Sequence, residues 1–82
     1  MCDSVSRFKF GTVLANVMGQ QSTQYTLDVG GVPIVTFANA MSVSNSVRAQ
    51  AKVDENSNKL VVIVFNSGSS QWNGSVCWFA VI

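Results

Sequence analysis

The chain has 82 residues, of which 48% are hydrophobic and only 11% charged, with a formal net charge of +1 and no histidine. So short a chain makes one thin-cored domain that buries about 60–65% of its unfolded surface, and such domains usually need a supplement: disulfides, a metal or partner chains. Near-neutrality, with the cations scattered at Arg7, Lys9, Arg48, Lys52 and Lys59, leaves no field to gather nucleic acid or anionic lipid.

The first residues, "MCDSVSRFKFG", place Asp3 early and show no apolar h-region. They read as no signal peptide, so the expectation is synthesis in a cytoplasm without export by the general secretory route. Residues 1–10 are a candidate N-terminal arm on a single β-domain that covers 1–82. "RFKFGTVLANVM" then begins with alternation, Phe8 and Phe10 against Arg7 and Lys9, with the lysine expected to face outward. It is either one long strand interrupted at Gly11 or two short ones.

"STQYTLDV" alternates cleanly, Thr23, Tyr25, Leu27 and Val29 on one face and Ser22, Gln24, Thr26 and Asp28 on the other. Gly30 and Gly31 turn the chain, and Val32–Phe37 reads as another strand with Pro33 at its start or on an edge. Residues 37–46 fit a loop, a short helical turn or a weak strand. Val47, Ala49, Ala51 and Val53 alternate inward against Arg48, Gln50 and Lys52. Asp54–Asn58 is a polar turn of residues that hydrogen-bond their own backbone. "KLVVIVF" follows, then a loop over Asn66–Ser75 with a turn-prone Asn73-Gly74, and "VCWFAVI" closes the chain as a last strand. Strand-like segments at this spacing predict an all-β fold, a small antiparallel β-sandwich or barrel of about six to eight strands. The longest apolar runs fall far below the roughly 18–20 residues that span a bilayer as a helix, so no membrane partner is expected.

Two strands carry apolar residues on both faces. In the run from Leu60 to Phe65, one set (Leu60, Val62, Val64) fills a core and the other (Val61, Ile63, Phe65) would face water. The last strand repeats the problem, with Val76, Trp78, Ala80 and Ile82 against Cys77, Phe79 and Val81. Exposed apolar stripes mark interfaces, and burying each large side chain is worth on the order of 1.5–3 kcal/mol. The expected cover is another copy or another protein, with Val61, Ile63, Phe65, Trp72, Trp78 and Phe79 as interface residues. The other way to cover those faces is a closed barrel with a loop folded over its outside.

Catalytic chemistry finds no footing. No histidine stands ready as a base for Cys2, Cys77 or any serine. The adjacent carboxylates Asp54 and Glu55 point apart in a turn, and Gly30-Gly31 opens no phosphate-binding helix. The expectation is a protein that is not an enzyme and takes no metal and no cofactor, with Cys2 and Cys77 as free thiols. Trp72, between Gln71 and Asn73 in a polar stretch, admits three roles: stacking on a sugar whose hydroxyls the amides bind, anchoring onto a neighbouring subunit, or capping its own core.

Four pieces, Ser22–Val29, Ala49–Val53, Asn58–Asn66 and Ser75–Ile82, together resemble the small all-β domains of tailed-bacteriophage virion proteins. The likeness runs over residues 13–82 and rests on alternating β patterns. Two subfamilies share it. One is the capsid decoration, or cement, proteins, which clamp major capsid subunits on the shell. The other is the tip domain of tail fibres, similar to H-type lectins in Val35–Phe37 and Trp78–Ala80. The first implies a non-enzymatic homo-oligomer, dimer or trimer, on the capsid surface of the virion, bound to the major capsid protein or another virion protein. The second implies a receptor-binding tip that recognises host-surface carbohydrate through Gln71, Trp72 and Asn73. A chain that opens on Met1 with no stalk, heptads or collagen-like repeat favours the cement expectation.

Overall fold

A computed structural model describes residues 7–42 and 45–82. They form an all-β fold of six strands: β1 (Phe8–Val17), β2 (Gln21–Leu27), β3 (Val35–Ala40), β4 (Val47–Asp54), β5 (Lys59–Asn66) and β6 (Trp72–Val81). These make two three-stranded antiparallel sheets, ordered β1-β6-β3 and β2-β5-β4, stacked as a small β-sandwich. The two double-faced strands, β5 and β6, each take the centre of a sheet. Only β4 and β5 are joined as a hairpin within one sheet; each other connection passes from one layer to the other.

Alternation decides which side chains meet between the layers. Val17, Leu60, Val62, Val64, Val76 and Ala80 are fully shielded from solvent, and Tyr25, Leu27, Ala38, Ala49, Ala51, Trp72 and Trp78 pack around them. The layers are also tied by polar bonds at both edges. The Tyr25 hydroxyl accepts from the Asn16 amide at 3.0 Å, joining β2 to β1. The Thr36 hydroxyl donates to the Ala51 carbonyl at 3.3 Å, joining β3 to β4.

Both tryptophans lie inside, each over a glycine. A methyl group built at Gly74 would stand 2.5 Å from the Trp72 ring, and one at Gly11 would stand 3.0 Å from the Trp78 ring. Gly11 is paired with Trp78 across β1 and β6. The large ring covers backbone that glycine leaves bare, a device known to rescue glycines in strands.

The segment from Asn66 to Gln71 is held by one buried amide. Asn66, 3% exposed, donates from Nδ2 to the carbonyls of Ser70 (2.8 Å) and Val17 (3.2 Å), and its Oδ1 accepts from the Gly68 amide at 3.0 Å. In the β4–β5 turn, Asp54 accepts from the Asn56 amide and the Ser57 hydroxyl, and Asn58 adopts a φ of 58°.

Several boundaries differ from the sequence expectation. β1 runs unbroken through Gly11, because the glycine fills a place under Trp78 instead of turning the chain. Phe8 to Phe10 belong to this strand and not to an arm; residues 1–6, and with them Cys2, lie outside the described residues. β3 starts at Val35, two residues past Pro33, and of the three alternatives for the stretch after it, Phe37–Ala40 takes the strand. β6 starts at Trp72, so Asn73-Gly74 is extended strand and not a turn.

Candidate docking face

The two outer faces of the sandwich answer the double-faced problem in opposite ways. On the β2-β5-β4 sheet, each outward residue of β5 sits between two partners. Val61 lies between Thr26 and Lys52, Ile63 between Gln24 and Gln50, and Phe65 between Ser22 and Arg48. Most of these flanking chains have aliphatic stems or methyl groups that cover apolar surface while their polar ends stay wet. Val61 is only 1% exposed, Ile63 is half-buried and Phe65 is 37% exposed. This sheet covers its central strand at Val61 and Ile63 and leaves Phe65 partly open.

The β1-β6-β3 sheet half-buries the outward residues of its central strand and leaves the apolar residues of its two edge strands bare. Its rows read Phe8–Val81–Val35, then Phe10–Phe79–Phe37, then Thr12–Cys77–Asn39. Leu14 beside Ser75 continues the face on β1, with Met41 held to the Ser75 carbonyl on the other side. Phe8, Phe10, Leu14, Phe37 and Met41 all expose more than half of their surface, Phe10 76% and Leu14 83%. The outward positions of these strands include no charged side chain. Three phenylalanines therefore stand abreast across the whole sheet. The Phe8 ring tilts against Phe79 with centroids 6.0 Å apart.

The sequence-expected interface residues are thus separated. Phe79 lies at the middle of the exposed face. Trp78 and Trp72 point the other way, into the sandwich. Val61 is shut beneath its neighbours and offers no surface to a partner; Ile63 and Phe65 stay on the opposite, self-covered sheet. Gln71 hydrogen-bonds both Asn73 and Asn16 at the polar end of β1 and β6, but the Trp72 ring is turned away from them over Gly74. Lys9, expected outward, takes the inward parity of β1 at the end of the sandwich.

Phe8, Phe10, Leu14, Val35 and Phe37 are the residues that sequence reasoning missed. One signal was available. Val13, Ala15 and Val17 share odd parity, while Phe8, Phe10 and Leu14 share even parity. If the strand is continuous, both sets cannot face one core.

Cys77 sits in this face, half-buried, its thiol donating to the Asn39 carbonyl at 3.5 Å. Among the described residues, no three side chains of His, Cys, Asp and Glu come together, and no helix is long and apolar enough to cross a membrane. A shallow open groove of about 480 Å³ lies beside Phe65 and Arg48, on the self-covered sheet. No family profile, no curated protein and no solved structure matches the chain.

Proposed function

We propose that this chain is a non-enzymatic structural protein that works through protein–protein association at its β1-β6-β3 face. Its proposed setting is the tailed-phage virion, as a decoration protein that stabilises the major capsid shell. The observation that carries the docking reading is the uncharged row Phe10–Phe79–Phe37 with its apolar surroundings. The largest apolar patch on an ordinary monomer is about 300–600 Å², and larger ones mark contact surfaces. The virion setting draws its support from the sequence resemblance. The carbohydrate-binding alternative draws none from Trp72, whose ring packs inward.

The test is add-back to virions that lack the chain. Such virions are expected to lose infectivity faster on heating. Purified wild-type chain restores their tolerance, and the Phe10→Glu chain does not. Equal heat tolerance with and without the chain would remove the stabilising role.

A further inference from the structure

We infer that the occupant of the β1-β6-β3 face is a second copy of this chain, seated face to face about a two-fold axis that runs along β6. The inference rests on the docking reading above and names the partner for that surface.

Area is the first argument. With roughly 200 Å² for an aromatic side chain and somewhat less for an aliphatic one, the exposed parts of Phe8, Phe10, Leu14, Val35, Phe37 and Met41 come to on the order of 700 Å². A standard stable interface takes about 800 Å² from each partner. One more copy of the same face supplies the matching half.

Charge is the second. A surface that pairs with its own copy brings every charge against the like charge or its neighbours. The outward positions of β1, β6 and β3 hold none. The five cations, and the acids Asp28, Asp54 and Glu55, lie off those positions. Self-docking therefore costs no ion desolvation and no like-charge repulsion.

The arrangement of rows picks the axis. The apolar rows sit toward the start of β1 and the end of β6, and Asn16 and Asn73 mark the polar end. An axis across the strands at the middle row, Thr12–Cys77–Asn39, would lay the Phe8–Val81–Val35 row on Asn16 and Asn73 and set Phe79 on Ser75. An axis along β6 keeps each row opposite itself: Phe10 meets the copy's β3 and its Phe37, and Phe79 meets its own counterpart. Aligned sheets pack about 10 Å apart with strands near 30°, a spacing that opposed phenylalanines fill. The two polar β2-β5-β4 sheets then face outward, one on each side of the dimer.

The geometry sets a pairing test. Wild-type chain is run by light scattering over a dilution series, beside Phe10→Glu and Phe37→Lys. Both substituted positions are more than half exposed, so the monomer fold tolerates them. Wild type is expected as a dimer. Each variant alone buries two unpaired charges and should dimerise at least ~100-fold more weakly. An equimolar mixture of the two variants should return to dimer. The carboxylate introduced at position 10 of one chain then meets the ammonium introduced at position 37 of the other, and the unchanged Phe37 of the first meets the unchanged Phe10 of the second. Wild type that stays monomeric at every concentration overturns the inference. If Phe10→Glu still blocks add-back to virions in that case, the docking reading survives with a different protein as partner. A wild-type dimer that both variants leave intact removes this face from either role. Variants that dissociate but do not re-form a dimer on mixing overturn the axis along β6.

Discussion

At the scale of single residues, small groups decide where large ones go. Gly74 is extended strand, and its value is space: a Cβ there would stand 2.5 Å from the Trp72 ring. Gly74→Ala should therefore push the indole off its seat and cost about 1–3 kcal/mol, read as a lower urea midpoint. Asp54 acts through charge instead of space. Its carboxylate is held below the ordinary value of 3.8, first by the Ser57 hydroxyl and then by the Asn56 amide. A lowered folded-state pKa means that the ionised group stabilises the fold above the unfolded value and loses that contribution as pH falls through the folded one. Asp54→Asn should lower the melting temperature slightly at neutral pH, and the gap from wild type should close as pH falls below 3.8 and through the lowered folded-state value. A gap that widened in acid would contradict this account of the turn. The turn itself was legible, because Asp, Asn and Ser bond their own backbone locally. The Trp72 seat was not, because a tryptophan between Gln71 and Asn73 looks like loop until the partner strand is known.

At the scale of elements, β5 and β6 share a pattern and differ in fate. Both are double-faced apolar strands at the centre of a sheet. β5 is flanked by Ser22, Gln24 and Thr26 on one side and Arg48, Gln50 and Lys52 on the other. β6 is flanked by Phe8, Phe10 and Thr12, and by Val35, Phe37 and Asn39. The first set covers its strand, and the second widens the apolar surface. A matched pair of substitutions separates the two cases. Val61→Asp, at 1% exposure, buries an unpaired charge and should cost about 3 kcal/mol or more. Phe10→Glu, at 76% exposure, should change the stability of the dilute chain by no more than about 0.5 kcal/mol. Urea unfolding of both proteins at low concentration checks this. Comparable losses would mean that the two outer faces are equally enclosed.

At the scale of the whole molecule, the sandwich is a slab of 51 × 27 × 15 Å with one self-sufficient side and one bare side. A thin slab has little core, and its layers are bound by Val17, Leu60, Val62, Val64 and Val76 with the two tryptophans. The bare side holds apolar surface that a dimer would convert into a second core between two copies. The low charge content then has a place in the fold: ions are absent from the surface proposed for burial and present on the opposite sheet, at Arg48 and Lys52.

By itself the sequence determined the fold class, the inward faces of β2, β4 and β5, and the excess of apolar surface on two strands. Those are local properties: alternation at period two, turn-forming residues, and six apolar residues in a row are present in the chain whatever its partners. Only the tertiary structure decided which excess is covered. Cover depends on cross-strand neighbours, and β5 meets β2 while β6 meets β1, each from a distant part of the chain. The parity of β1 was decided the same way. Its odd residues match the core, Gly11 has to lie beneath Trp78, and strict alternation then turns Phe8, Phe10 and Leu14 outward.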